Sequence, residues 1–215
     1  MTIITSLEKI KQEIKNSSRS KEVEIIAVSK TFPISHIMPL VSHGHRHFGE
    51  NKVQEAEKKW SEVKKNVKDL KLHMIGSLQS NKAKKAVELF DFIHSLDSVK
   101  LANELSKRQK QQGKNLGYFI QLNLGSEDQK GGLEINDLKS FYDHCVNELN
   151  LLVLGLMAIP PNDQKPEKHF KKISELNQQY NFHNLSLGMS NDYLSAIKYG
   201  ATHVRIGSSI FGARS

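Results

Sequence analysis

The chain has 215 residues, of which 38% are hydrophobic and 25% charged, and this mixture indicates a folded domain with a sizeable core, not a disordered or membrane-spanning protein. The single cysteine, Cys145, excludes an internal disulfide and fits a reducing compartment. Because the chain has no apolar run of signal-peptide or membrane-spanning length, we expect a cytoplasmic protein without membrane contact. The formal net charge of +8 leaves an anionic ligand, a nucleic acid or a membrane surface open as partners.

Short apolar segments alternate with longer amphipathic segments along almost the whole chain. A first amphipathic helix is predicted over about Ile4–Lys15. Eight predicted strands follow, at Glu24–Ser29, Arg46–Gly49, Leu72–Gly76, Phe90–Leu96, Tyr118–Leu124, Leu151–Ile159, Asn184–Gly188 and His203–Ile206. The predicted helices between them are Ile34–Ser42, Lys52–Lys65, Asn81–Leu89, Val99–Gln112, Ile135–Leu149, Glu167–Gln179 and Asp192–Tyr199.

Continuously apolar strands of this kind are buried on both faces, which favours a parallel sheet covered by helices. Eight strand–helix units in a row predict a single (β/α)8 TIM barrel over residues 1–215, with the first helix as an extra N-terminal element. An open doubly wound sheet is the alternative, but it normally has a glycine-rich turn after its first strand, and Ser29–Pro33 contains no glycine. The polar loop Ile159–Lys168 is predicted to form a mobile part of the rim.

The basic residues are spread over several predicted helices and are not gathered on one face. Their groups are Lys58–Lys68, Lys82–Lys85, Lys107–Lys110 and Lys168–Lys172. A scattered arrangement is typical of solvated helix faces, whereas polyanion binding needs a continuous basic patch. We therefore expect no nucleic-acid partner, and a polyanion-binding module remains the less favoured interpretation.

Lys30 stands at the carboxyl end of the first predicted strand, where barrels place their reactive groups. A lysine that ends a buried strand is partly desolvated, and desolvation lowers the pKa of an amine and frees it for Schiff-base chemistry. On its own, Lys30 is more typical of an ordinary solvated lysine. The pattern at the end of the chain changes that interpretation.

Two successive strands near the end of the chain finish in glycine and serine. Gly188-Met-Ser190 ends the seventh predicted strand, and Gly207-Ser208-Ser209 ends the eighth. The loops after strands seven and eight form a recurrent phosphate site in barrels, because small residues let backbone N–H groups approach the oxygens and hydroxyls also donate. Ordinary turn chemistry is the alternative. A lysine beside a phosphate site is what an aldehyde cofactor such as pyridoxal phosphate requires.

Several polar residues elsewhere are predicted to pair with a charged or polar group or to cap a helix. Arg205, inside the eighth strand, must face either a carboxylate or the ring nitrogen of a bound cofactor, since an unpaired buried guanidinium is costly. Glu50 is predicted to brace a cation, and Asn51 and Asn81 are predicted to cap the helices that follow them.

Two further features suggest reactive sites, but neither is favoured. His43, His45 and His47 alternate near a strand start, away from the predicted rim, and they lack a cysteine or carboxylate at metal-ligand spacing, so no metal site is predicted. Cys145 has no paired base and is predicted to be a buried, inert thiol.

Taken together, the motifs make the chain similar to the pyridoxal phosphate homeostasis proteins. They are Ala27-Val-Ser-Lys-Thr31, Phe48-Gly-Glu-Asn-Lys-Val-Gln-Glu-Ala56, His73-Met-Ile-Gly-Ser-Leu-Gln-Ser-Asn-Lys82, His94-Ser-Leu-Asp-Ser98, Gly155-Leu-Met157 and the Leu185–Arg214 tail. The resemblance implies a barrel like the N-terminal domain of alanine racemase and pyridoxal 5'-phosphate as cofactor, held on Lys30 as a Schiff base.

The resemblance also assigns the other cofactor-binding positions. It implies that Ser190, Gly207 and Ser208 hold the phosphate and that Arg205 faces the pyridine nitrogen. It makes Asn51 a rim contact, and Ile206 is counted among the cofactor-binding positions beside Gly207. The family usually has threonine in place of Ser208, and serine keeps the hydroxyl.

These features favour a carrier over a catalyst. The resemblance implies a barrel without the second domain that closes over the substrate in alanine racemase, and we expect no such domain in these 215 residues. We therefore expect a monomeric, non-enzymatic protein of vitamin B6 homeostasis that delivers pyridoxal phosphate to dependent apoenzymes. The alternative is a pyridoxal-phosphate-dependent amino-acid racemase or lyase.

Overall fold

The computed structural model describes residues 2–17, 22–125, 131–161 and 166–213. Residues 162–165, within the loop predicted to form a mobile rim, lie outside this range, as do residues 214 and 215 at the end of the chain. In the described part of the chain, no helix is both long enough and apolar enough to cross a bilayer.

Eight parallel strands close into a barrel in chain order, with the last strand paired to the first. The strands are β1 (Glu24–Val28), β2 (His47–Glu50), β3 (Lys71–Met74), β4 (Phe92–Leu96), β5 (Gly117–Leu122), β6 (Leu152–Ala158), β7 (Asn184–Met189) and β8 (His203–Ile206). The predicted closed barrel is confirmed, and the open doubly wound sheet is wrong. Because all strands run in the same direction, their carboxyl ends share one rim.

Helices follow the strands in nearly the predicted places. They are α1 (Ile3–Asn16), α2 (Ile34–Ser42), α3 (Val53–Asn66), α4 (Ala83–Leu89), α5 (Val99–Gln112), α6 (Leu138–Asp143), α7 (Pro166–Gln179), α8 (Tyr193–Lys198) and α9 (Ser208–Phe211). The single helix predicted over Ile135–Leu149 consists of a 3-10 turn, α6 and a π-helical turn. The sequence did not reveal α9, because its four residues are too few to form a periodic pattern.

Both predicted asparagine caps are wrong. Lys52, not Asn51, precedes α3, and no side chain caps that helix. Asn81 lies inside a 3-10 turn, Ser80–Lys82, so α4 begins too late for its side chain to act as the cap. The side chain of Asn51 is therefore available for another role.

The extra N-terminal helix is confirmed, and it supports the end of the chain. Leu7, Ile10 and Ile14 are buried along one face of α1, at the spacing of an amphipathic helix. The helix contacts α2 and α9, and the hydroxyl of Tyr193 in α8 donates to the Glu13 carboxylate in α1. The loop after β8 is therefore held from outside the barrel.

Candidate functional site

A cleft of about 760 Å³ opens at the carboxyl rim of the barrel. Six of the seven predicted cofactor residues line it: Lys30, Asn51, Ser190, Arg205, Gly207 and Ser208. The seventh, Ile206, is fully buried in the hydrophobic core and is not among the lining residues. A cofactor contact of Ile206 remains a prediction, and it would have to come from the backbone.

The segment that contains Lys30 turns sharply as it leaves β1. Thr31 has a φ of 71°, in the left-handed region that non-glycine residues rarely adopt. Such a conformation costs on the order of 1–3 kcal/mol and persists only where surrounding contacts hold it. One of these contacts is the Thr31 backbone N–H, which donates to Glu55 Oε1 in α3 over 2.5 Å.

Lys59 in α3 connects this segment to the barrel. Its ammonium group donates to the carbonyl oxygens of Ser29 and Phe32, at 2.8 and 3.3 Å. The same nitrogen lies 2.7 Å from Glu50 Oε1 and 2.9 Å from Glu55 Oε1. The prediction that Glu50 braces a cation is confirmed, and the cation binds the backbone on both sides of Lys30.

The Glu50 carboxylate is fully buried and makes several hydrogen bonds. Its Oε1 accepts from the Ser29 hydroxyl at 2.7 Å and from the Trp60 indole N–H at 2.9 Å, besides the contact with Lys59. Burial raises the pKa of Glu50 above its usual value, and these hydrogen bonds oppose the rise. Burial also opposes ionisation of Glu55, but hydrogen bonds from Lys59 and Thr31 outweigh it and lower that pKa.

The loops after β7 and β8 are joined at Ser190. Its hydroxyl oxygen accepts from the backbone N–H groups of Gly207 and Ser209, at 3.2 and 3.3 Å, and the Ser209 hydroxyl donates to the Ser190 carbonyl. Because Ser190 Oγ acts as acceptor, its own proton is free to point at an anion. Ser209, which belonged to the predicted phosphate motif but not to the assigned cofactor-binding residues, is therefore part of the same cradle as Ser190, Gly207 and Ser208.

Gly188 allows the bend that places Ser190. Its φ is +87°, and a Cβ atom there would lie 2.8 Å from Ala196 Cβ and from Tyr193 Cα. The pairing of β7 with β8 shifts register at this point. The glycine pattern read from the sequence thus corresponds to a real backbone requirement.

Asn51 contributes an unsatisfied acceptor to the cleft. Its Oδ1 atom is buried and has no hydrogen-bond partner. Gly76, in the loop after β3, approaches so closely that an added Cβ atom would lie 2.4 Å from the Asn51 carbonyl oxygen. A buried acceptor without a partner is costly, and such a cost beside a cleft is typical of a functional site.

Arg205 lies at the floor of the cleft and is fixed on one side. Its Nη1 donates to the carbonyl and hydroxyl oxygens of Ser186, at 2.8 and 2.6 Å, and Nη2 donates to the Ala158 carbonyl at 2.9 Å. Among the described residues its partners are these oxygens, so the carboxylate pairing considered from the sequence is not found. Burial lowers the pKa of Arg205 to about 10, which still leaves the group protonated at neutral pH.

The two disfavoured features have plain structural roles. Cys145 is fully buried, and burial raises the pKa of its thiol to about 12, as expected for an inert cysteine. Of the three alternating histidines, His47 begins β2, at the end of the barrel away from the cleft. Within the described ranges, no three His, Cys, Asp or Glu side chains are grouped so as to hold a metal ion.

Comparison with known proteins supports the motif resemblance over the whole chain. The family model for the alanine racemase N-terminal domain matches residues 5–215. The pyridoxal phosphate homeostasis protein of Haemophilus influenzae is 39% identical over 221 residues, covering 97% of this chain and 92% of that protein. The chain belongs to the pyridoxal phosphate homeostasis protein family. The pyridoxal phosphate homeostasis protein of Aquifex aeolicus is 38% identical over 218 residues, which cover 97% of this chain and 95% of that protein.

Solved structures of two other proteins have the same barrel. PipY of Synechococcus elongatus, solved with pyridoxal phosphate bound, has a TM-score of 0.86 at 35% identity and covers 98% of this chain and 100% of that chain. An alanine racemase from Clostridium difficile has a TM-score of 0.73 at 14% identity and covers 99% of this chain and 57% of that chain. The second likeness concerns the fold alone.

Proposed function

We propose that this member of the family binds pyridoxal 5'-phosphate in the rim cleft, with Lys30 as the point of attachment, and that it serves vitamin B6 homeostasis. The observation that carries the proposal is that Lys30, Arg205 and the Ser190 cradle line a single cleft. The cofactor supplies an aldehyde, which condenses reversibly with an amine, and a phosphate, which needs several donors. The cleft offers both kinds of group, at the neighbouring carboxyl ends of β1, β7 and β8.

The residues of the cleft fit the cofactor in size and in chemistry. A volume of about 760 Å³ is within the range of small-molecule sites. In the proposed arrangement, hydroxyl and backbone N–H groups of Ser190, Gly207 and Ser208 hold the phosphate, and Arg205 donates toward the ring nitrogen. Asn51 lines the same cleft as a rim contact.

The proposal treats residues 1–215 as one cofactor-binding domain that acts as a carrier. Relatives that match almost the entire chain bear the name pyridoxal phosphate homeostasis protein. An arginine that stays protonated donates to the pyridine nitrogen and keeps a second proton away, which weakens the ring as an electron sink. We propose a monomeric, cytoplasmic protein whose partners are apoenzymes that require the cofactor.

The rival function is that of an amino-acid racemase or lyase dependent on pyridoxal phosphate. The barrel is similar to that of an alanine racemase, and this likeness is the reason to test for racemase or lyase activity. Incubation of the loaded protein with individual amino acids, followed by chiral chromatography, separates the two functions. Release of cofactor without turnover supports the carrier, and sustained racemisation or product formation contradicts it.

The binding site itself is tested by absorption spectroscopy of Lys30→Ala. The visible imine band should disappear while the far-ultraviolet circular dichroism stays that of a folded barrel, because a rim lysine contributes little to the core. Lys52→Ala is the matched control, since Lys52 is an exposed lysine close to the cleft. Equal bands in wild type and Lys30→Ala would move the attachment to another lysine.

A further inference from the structure

A line of hydrogen-bonded side chains crosses the barrel interior beneath the cleft. His47 Nδ1 lies 3.0 Å from His73 Nε2, and His73 Nδ1 lies 2.9 Å from His94 Nε2. His94 Nδ1 lies 2.9 Å from Ser186 Oγ, which accepts from Arg205 at 2.6 Å. His47, His73 and His94, referred to below as the histidine chain, thus connect the amino end of the barrel to the arginine of the cleft.

The histidine chain consists of neutral imidazoles. His73 and His94 are fully buried, and burial lowers the pKa of each well below its usual value. Burial also lowers the pKa of His47, which is partly exposed at the end of the chain. A neutral imidazole has one N–H donor and one bare nitrogen acceptor. A ring that accepts a hydrogen bond at one nitrogen therefore donates one from the other, so all the bonds of the line point the same way.

The two ends fix that direction. At the amino end of the barrel, His47 Nε2 lies 3.3 Å from Glu24 Oε2, so a proton on Nε2 faces a carboxylate oxygen, whereas a bare nitrogen there would face that charge without a proton between them. The Nδ1 atom of His47 is then bare and accepts from His73 Nε2, and in the same way the Nδ1 atom of His73 accepts from His94 Nε2. His94 Nδ1 is left as the acceptor for the Ser186 hydroxyl.

The other end agrees with this direction. The guanidinium of Arg205 has donors only, so Ser186 Oγ must accept from it and is free to give its own proton to His94. Each hydrogen bond between Arg205 and His47 has one donor and one acceptor when all of them point away from the arginine, and the last proton, on His47 Nε2, then faces Glu24. Bonds aligned in one direction polarise one another, which strengthens each of them.

We propose that the histidine chain forms a one-way line of hydrogen bonds, which holds the Ser186 hydroxyl as an acceptor and so fixes the Arg205 guanidinium in the cleft. His47, His73 and His94 do not reach the cleft and act through Ser186. The direction of the line is a property of the cofactor-free protein, whereas its effect on cofactor retention rests on the proposed function.

The direction is tested by nitrogen NMR on the full-length, cofactor-free protein with labelled histidines. Scalar couplings across the N–H···N bonds should join His73 Nε2 to His47 Nδ1 and His94 Nε2 to His73 Nδ1, with the proton on Nε2 in every case. Protons on the Nδ1 atoms, or no coupling between the rings, would overturn the one-way line.

The positioning role is tested by Ser186→Ala against Ser95→Ala, because both serines are fully buried in strands and Ser95 has no hydrogen-bond partner. Loss of one charge-assisted hydrogen bond should speed hydrogen exchange of the Arg205 guanidinium about tenfold in Ser186→Ala and leave it unchanged in Ser95→Ala. Cofactor retention should weaken by about three- to tenfold in Ser186→Ala alone.

The possible failures are distinguishable. Equal Arg205 exchange in both variants overturns the positioning role. If the wild type forms no imine band but Ser186→Ala still alters the Arg205 exchange, the proposed function is refuted and the positioning role remains supported. If Ser186→Ala does not fold, His94→Phe serves as the second variant, because it keeps a ring against Phe119 but removes the acceptor for the Ser186 hydroxyl. Its Arg205 exchange should rise at least about threefold, whereas His94→Gln, which keeps an acceptor, should stay close to wild type; wild-type exchange in His94→Phe would overturn the role of the chain.

Discussion

Replacement of Lys59 by methionine should be among the most damaging single changes near the cleft. The Lys59 side chain is only 10% exposed and its partner Glu50 is not exposed at all. Methionine has a similar length but no charge and no donor. The substitution therefore leaves the Glu50 carboxylate buried without its cation, and it leaves the carbonyl oxygens of Ser29 and Phe32 without their shared donor.

The magnitude follows from the burial of the pair. Removal of one partner of a buried ion pair typically costs about 3–5 kcal/mol, because the remaining charge loses its compensation. For a domain of this size, each kcal/mol lowers the melting temperature by about 2–4 °C, so a fall of roughly 6–20 °C is expected. Lys58→Met is the matched control, since Lys58 is the exposed neighbour in the same helix, and it should change the free energy of unfolding by less than about 0.5 kcal/mol.

Urea unfolding followed by circular dichroism measures these free energies. In Lys59→Met the defect should shrink as the pH falls from 7 to 5, because protonation of Glu50, whose pKa is already raised by burial, removes the uncompensated charge. The double variant Glu50→Gln/Lys59→Met should recover part of the loss. A Lys59→Met protein within about 1 kcal/mol of Lys58→Met at pH 7 would refute the assigned role of the ion pair.

Three other changes have defined outcomes. Burial lowers the pKa of His45 from 6.5 to about 4, so the stability it contributes is complete above pH 6.5 and is lost as the pH falls to 4. The variant His45→Gln keeps a donor for the His47 carbonyl and does not titrate. Between pH 7 and pH 4 its free energy of unfolding should fall by about 3 kcal/mol less than that of the wild type. Equal falls in the two proteins would contradict the effect of burial on the His45 pKa. Gly76→Ala should cost about 1–3 kcal/mol in urea unfolding, because the new methyl group meets the Asn51 backbone, and an unchanged midpoint would exclude that contact. Ser190→Ala should weaken cofactor retention about tenfold in dialysis, since the phosphate loses the Ser190 hydroxyl donor and the Gly207 loop loses the acceptor that holds it; full retention would move the phosphate elsewhere.

The barrel and the meeting of its site residues could be predicted from sequence because both depend on local patterns. Alternation of apolar strands with amphipathic helices fixes the fold class, and a closed parallel barrel brings every strand end to one rim. Lys30 and Ser190 are far apart in the chain, yet each ends a strand, so their common cleft followed without knowledge of any contact. Gly188 was likewise recognisable as the residue of a tight turn.

The supporting contacts could not be predicted, because they depend on which side chains of different elements face one another. Lys59 looks like any other lysine of a basic helix until the packing of α3 places it against Glu50. His47 was read together with its sequence neighbours His43 and His45, whereas its true partner, His73, lies on the next strand. The wrong cap at Asn51 has a similar cause, since a shift of one residue in a helix start changes the role of a side chain.

The attachment of pyridoxal phosphate to Lys30 in the cleft is open to a direct chemical test. Purified protein is incubated with the cofactor, reduced with borohydride, digested and mapped by mass spectrometry. The account predicts a visible imine band that reduction abolishes and a stable adduct on the peptide that contains Lys30. An adduct on other lysines with none on Lys30, or no imine band at saturating cofactor, would contradict the account.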